Sequence, residues 1–200
     1  MNFQISSNDP PKTVVPGLPT PYYGEGGSFS VTFGILISAS PAQCLATVLD
    51  DSSYSSWNTF VPKVIVDKLP NQLPTLSLSA GPGTKFRFEV HMDLQPAGSS
   101  RQEYFEMTLL DEITRGDKKG LRVAWRWLGL PGILQRAERI QEFIDDGNGR
   151  TKYICWETFY GLAAPITRMV LGKQLETAFS AWGRGLKKES EKRAGACDDH

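Results

Sequence analysis

Histidine and cysteine are the scarce residues of this chain, with two and three copies in 200 residues. The cysteines, Cys44, Cys155 and Cys197, are an odd number at wide spacing, and no CxxC occurs. Neither a zinc knuckle nor a thioredoxin-like redox motif can be built from them. Charge of one sign is lacking too: 22 Lys and Arg balance 22 Asp and Glu. That balance excludes the strongly basic footprint of a nucleic-acid binder and a long charged tail. No apolar run approaches the roughly 18 residues of a bilayer span. The opening residues MNFQISSNDPPK carry neither the basic nor the apolar region of a secretory signal, and no N-x-[ST] sequon is present. A reduced, cytoplasmic protein is expected, with no nucleic-acid partner, transmembrane segment, metal or cofactor. What is present suffices for a core: 40% of residues are hydrophobic and 10% aromatic.

Residues 1–27 hold five of the thirteen prolines and four glycines. Proline fixes φ and removes donors, so this stretch reads as a flexible extended arm outside the fold. The lesser alternative has Tyr22 and Tyr23 packing the arm onto the domain. From Ser28 the pattern becomes a strand, with Phe29, Val31, Phe33, Ile35 and Ile37 alternating. Ser40-Pro41-Ala42-Gln43 then starts a helix as a capping box with proline at its first position. An aromatic turn follows from Tyr54 to Phe60. Strands are expected over 61–69, 84–94, 104–114, 121–128, 134–145 and 150–160, with a loop over 70–83. In the clearest strand Phe86, Phe88, Val90, Met92 and Leu94 share one face, while Lys85, Arg87, Glu89, His91 and Asp93 share the other. Such alternation belongs to an antiparallel sheet with one wet face. A helix over 165–192 carries Leu175, Phe179, Trp182 and Leu186 as an apolar stripe. Gly172 and Gly183 lie on or beside that stripe. They leave room for close backbone packing or for a ligand. Residues 193–200 read as a frayed tail. The order gives an α+β fold: a curved antiparallel sheet of six to seven strands around a long C-terminal helix.

Four stretches then carry a resemblance. They are Phe29–Asp51 with its Ser40-Pro41-Ala42 junction, the Tyr54-Ser55-Ser56-Trp57-Asn58-Thr59-Phe60 turn, Gly83-Thr84-Lys85-Phe86-Arg87-Phe88, and the run from Arg139 through Gly149-Arg150-Thr151 to Glu157-Thr158-Phe159-Tyr160-Gly161. In order and spacing they resemble the START-like, or SRPBCC, superfamily of helix-grip proteins, which includes polyketide cyclases and lipid-transfer domains. The resemblance covers residues 28–192. It implies a helix-grip domain with an apolar cavity between sheet and helix. Its phasing sets Arg139 and Phe143 on one face of their strand, and Tyr153, Glu157 and Phe159 on one face of the next. A three-residue loop, Gly147–Gly149, would pair Arg139 with Glu157 and Phe143 with Tyr153.

Little of the chain is left for chemistry. His91 is expected to face water and His200 is the last residue, so no histidine remains for a Ser-His pair, a Cys-His pair or a metal. Cys155 reads as a buried structural cysteine. Gly81-Pro82-Gly83 leads to a strand and is a turn, not a phosphate cradle. Arg139 and Glu157 either form a wet-face salt bridge or point inward, to orient a ligand or move protons. A nearby arginine lowers a carboxyl pKa, which favours binding over catalysis. Asp111 shares the inward parity of its strand unless a bulge at Leu110-Asp111 turns it outward. The residues expected around a ligand are Trp57, Phe88, Met92, Trp125, Trp127, Arg139, Tyr153, Glu157 and Phe179. Several of them would serve a filled core equally well.

The leading expectation is binding of a hydrophobic small molecule, such as a polyketide, isoprenoid or lipid. The first alternative is a cyclase or dehydratase using Glu157 and Arg139. The second is a core-filled protein acting through protein contacts. A cavity below about 300 Å³ would sink both ligand readings.

Overall fold

The structure is a computed structural model that describes residues 5–70, 77–95 and 98–198, with side chains to residue 195. The middle of the expected 70–83 loop and His200 lie outside the described residues. The strands are β1 (Lys12–Val14), β2 (Phe29–Ile37), β3 (Lys63–Lys68), β4 (Lys85–Val90), β5 (Arg101–Arg115), β6 (Lys118–Trp127), β7 (Arg136–Gly147) and β8 (Arg150–Tyr160). Helices α1 (Pro41–Leu49) and α2 (Tyr54–Trp57) follow β2, and α3 (Ala164–Asp198) closes the chain. One antiparallel sheet runs in the order β1-β2-β8-β7-β6-β5-β4-β3. It wraps around α3, the helix-grip arrangement.

Local chemistry sets the landmarks. Ser40 Oγ accepts from the Gln43 amide at 3.3 Å, and Gln43 Oε1 accepts from the Ser40 amide at 3.0 Å, so the capping box that starts α1 is complete. On α3, Trp182 is fully buried among Tyr54, Trp57, Phe88 and Trp125, with ring centroids 5.5–6.2 Å away. These rings fill much of the space between sheet and helix. Gly183 belongs to the same packing: a Cβ there would meet Phe33 Cε1 at 1.9 Å. Gly172 is different, because its nearest neighbour would be Thr13 Oγ1 at 3.9 Å.

The β7–β8 turn differs in detail from expectation. Asn148 (φ 53°) and Gly149 (φ 68°) form a two-residue turn in the left-handed region. A register shift between Asp145 and Gly147 then adds one residue to β7. The bulge restores the pairing that a three-residue loop would give: Arg139 opposite Glu157 and Phe143 opposite Tyr153.

The proline-rich arm is not outside the fold. Its residues 12–14 form β1, the edge strand that brings the count to eight. Proline keeps the arm extended, and its free backbone groups find partners on the sheet. Leu18 donates its amide to Ser30 Oγ at 2.7 Å, Trp156 Nε1 donates to the Pro19 carbonyl at 3.2 Å, and the Tyr22 amide donates to Glu138 at 2.9 Å. Arg126 lies over the Tyr22 ring and Arg136 over the Tyr23 ring, at 4.6 and 5.0 Å. The tyrosines thus hold the arm down.

Other expectations shift by short distances. Helix α3 runs to Asp198, through most of the stretch expected to fray. His91 is not on a wet face; it is only 4% exposed. Strand β4 ends at Val90, so strand parity no longer applies. The His91 ring nitrogens instead reach the Gln95 carbonyl at 2.9 Å and Glu89 Oε1 at 3.1 Å. Asp111 does turn outward to pair with Arg122 at 2.7 Å, although the bulge falls between Met107 and Leu109.

Candidate functional site

The hairpin register and the pleat put Arg139, Gln141, Tyr153, Cys155 and Glu157 on the helix-facing side of the sheet. Five polar or reactive side chains therefore sit in an aromatic core. Arg139 is 4% exposed. Its guanidinium carbon lies 4.3 Å from the ring centroids of both Phe179 and Trp182 on α3. Contact with two aromatic rings compensates a desolvated cation, and a planar guanidinium suits it better than an ammonium. Arg139 Nε donates to Cys155 Sγ at 3.3 Å. Arg139 Nη2, however, has no acceptor among the described residues. Deeper in the core, Gln141 Oε1 accepts from Tyr153 at 2.7 Å and from Trp182 Nε1 at 3.1 Å.

Glu157 stands beside this cluster, half-buried. Burial pushes its carboxyl up to about 7, against the Arg139 charge that pulls it down, and Glu103 adds to the upward push. The expectation that a nearby arginine would keep this carboxyl low is therefore corrected: loss of hydration outweighs the attraction. Burial works against the charge on Arg139, yet Cys155, Tyr153 and Glu157 around it hold its pKa above the ordinary value. Burial also raises the Tyr153 and Cys155 pKa values. At neutral pH the site holds a fixed cation, two neutral donors and a carboxyl poised between its two forms.

Glu157 and Arg139 open onto a cavity of about 90 Å³ between sheet and α3. Phe88, Met92, Trp125 and Trp127 line it with them, so six of the nine expected ligand residues meet there. The other three lie outside the lining. Trp57 packs on Tyr54 and Trp182, Tyr153 bonds Gln141, and Phe179 lies against Arg139. Among the lining residues that sequence reasoning missed are Phe105, Gln135, Thr167 and Leu171. Phe105 carried an inward-parity signal; the other three depend on how the 128–135 loop meets α3. Trp125 Nε1 is a second buried donor without an acceptor among the described residues. Near the edge of the cavity Glu103 accepts from Trp127 Nε1 at 2.6 Å and pairs with Arg101 at 2.7 Å.

The volume falls short of the roughly 300 Å³ at which ligand pockets usually begin. On that criterion the expected enclosure of a whole lipid, isoprenoid or polyketide, as bound ligand or as cyclase substrate, is not supported.

A curved antiparallel sheet gripping a long C-terminal helix, with a pocket between them, is the START/polyketide cyclase-like fold, and comparison with solved structures agrees. The chain superposes on an aromatase/cyclase from Streptomyces sp. R1128 with a TM-score of 0.58 at 14% identity, covering 82% of this chain and 94% of that one. It superposes on norcoclaurine synthase from Thalictrum with a TM-score of 0.57 at 8% identity, covering 95% and 99%. Among curated proteins it is similar to oxopyrrolidines biosynthesis cluster protein O of Penicillium oxalicum, 26% identical over 155 residues, or 70% of this chain and 76% of that protein. No family model matches the chain.

Proposed function

We propose that the protein binds a small carbonyl-bearing organic molecule in the Arg139–Glu157 pocket. The observation that carries this reading is a cavity lined by Arg139, Trp125 and Glu157, two of which carry a buried donor, Arg139 Nη2 and Trp125 Nε1, with no acceptor among the described residues. A buried donor without a partner costs about 1–3 kcal/mol, and a ligand acceptor removes that cost. Phe88, Phe105 and Trp125, with Phe88 inclined at 45° to Phe105 and at 85° to Trp125, offer the apolar body of the ligand an aromatic lining. The cavity volume narrows the class from lipids to compact rings or to the polar end of a longer chain. An oxopyrrolidine ring, named in the Penicillium relative's description, is such a ring: its carbonyl is an acceptor and its size is small.

A second reading is acid–base chemistry on that molecule, supported by Glu157. A carboxyl with a pKa of about 7 can both give and take a proton near neutral pH. Arg139 would stabilise negative charge developing on the carbonyl oxygen.

Two experiments test these readings. 2-Pyrrolidinone is titrated into the protein while the Trp125 indole N–H resonance is followed; a saturable shift is expected, and no shift contradicts the binding reading. Mass spectrometry then compares the small molecules that copurify with the wild type and with Glu157→Gln. The same species on both supports a binder. A precursor held only by Glu157→Gln supports an enzyme. Empty protein in both cases, together with no indole shift, supports the core-filled reading.

A further inference from the structure

Eleven large hydrophobic side chains are exposed among the described residues, and eight of them fall in two short segments, 128–134 and 162–170. Met169 is 80% exposed, Leu162 75% and Ile133 74%. The segments adjoin: the Leu162 amide donates to the Ile133 carbonyl at 3.3 Å, and the Ala163 amide to the Leu134 carbonyl at 2.9 Å. Together they make one aliphatic patch of loop and first helical turns. Exposed apolar clusters of this kind mark contact surfaces.

The patch borders the pocket. Thr167 donates to Gln135 Oε1 at 2.6 Å, joining the helix to the loop, and both residues line the cavity. Its charge is one-sided. Residues 128–136 and 161–173 contain Arg136, Arg168 and Lys173 but no aspartate or glutamate. All three cations are exposed; Arg136 also lies over Tyr23 and Tyr160, and Lys173 pairs with Glu176 at 2.9 Å. With Lys173 balanced by Glu176, Arg136 and Arg168 remain as a local excess of positive charge in a chain of zero net charge.

We infer that this patch docks the protein on an anionic lipid bilayer, with its aliphatic side chains in the acyl boundary and its cations among the headgroups. Aliphatic side chains bordered by lysine and arginine match such a surface on both counts. A symmetric contact with a second copy would set the same cations against each other. No helix among the described residues is long and apolar enough to cross a membrane, so the contact is interfacial. Docking would place the pocket's edge at the surface from which an apolar molecule arrives. The inference rests on the surface alone and is independent of what the pocket binds.

Flotation of the full chain with phosphatidylcholine vesicles, with and without phosphatidylserine, tests it. Binding to the phosphatidylserine vesicles is expected, weakening at high salt as headgroup charge is screened. The double substitution Ile133→Ser and Met169→Ser should lower binding by about tenfold or more, since each removes a large apolar group. Arg168→Glu should weaken only the phosphatidylserine-dependent part. All three changes are on the surface, so thermal melting should stay unchanged and report intact folding. No flotation on either vesicle, or equal flotation of the double variant, overturns the inference. So does sedimentation that shows the wild type dimerising through the patch and the double variant monomeric.

Discussion

Arg139 is the cross-strand partner of Glu157, yet the two act on each other through charge and not through a hydrogen bond. The guanidinium is drawn onto Phe179 and Trp182 instead. The carboxyl is thereby left near a cation without being neutralised by it. A tight ion pair would hold Glu157 ionised and inert. This arrangement leaves it titratable in the middle of the physiological range.

A stability profile against pH should show that titration. The folded-state pKa of Glu157 is raised, from the ordinary 4.5 to about 7. The folded protein therefore binds the proton more tightly than the unfolded chain, and this stabilisation is full below about pH 4.5. It is lost as pH rises to about 7, by up to roughly 3 kcal/mol. His91 works in the same direction, since its hydrogen bond to Glu89 raises its pKa. The difference between wild type and Glu157→Gln isolates the glutamate. The variant should gain stability relative to wild type as pH climbs from 5 to 8, measured by thermal melting. Parallel curves would contradict the assignment.

Arg139→Ala should cost about 3 kcal/mol in chemical denaturation, from lost ring contacts and an unfilled space. It should also raise the Glu157 midpoint further, because the arginine charge is what pulls it down. An unchanged or lower midpoint would mean the two groups are not coupled.

The glycines of α3 should respond in opposite directions. A Cβ at Gly185 would lie 2.3 Å from the backbone oxygen of Trp57, which cannot move aside easily. Gly185→Ala should destabilise by about 1–3 kcal/mol. A Cβ at Gly172 would make only ordinary contacts, with Thr13 Oγ1 at 3.9 Å and Arg168 Cγ at 4.0 Å, and Gly172→Ala should stabilise by up to about 1 kcal/mol through helix propensity. Urea unfolding of the two variants gives both signs in one experiment.

The arm is pinned to α3 by one carboxylate. Glu176 Oε1 accepts from both the amide and the hydroxyl of Thr13, at 2.9 and 2.8 Å. Glu176→Ala should speed amide hydrogen exchange at Thr13 by about tenfold, while the β7–β8 hairpin keeps its protection. Unchanged exchange at Thr13 would show that strand pairing alone holds the arm.

Much of this was legible in the sequence where one local rule sufficed. Ser40, Pro41 and Gln43 specify a helix start by themselves, and the alternation through Phe86 and Phe88 specifies an inner face. The pairing of Arg139 with Glu157 followed from the phasing that the family resemblance implies and a three-residue loop, even though the turn reaches it through a bulge. What failed depended on distant chain. Proline content says that the arm is extended, but not that Ser30, Trp156 and Glu138 wait to bond it. His91 obeys strand parity only if the strand continues past Val90. Glu157 is the sharpest case: an arginine in sequence register predicts a low pKa. Only the packing of Phe179 and Trp182 shows where the guanidinium goes.

The central claim is that Glu157 is a carboxyl held near neutrality beside a permanently charged Arg139. Its Cδ resonance, followed by carbon NMR through a pH titration of the full chain, tests that directly. The account predicts a midpoint near 7, moving upward in Arg139→Ala. A midpoint at the ordinary 4.5 would contradict it.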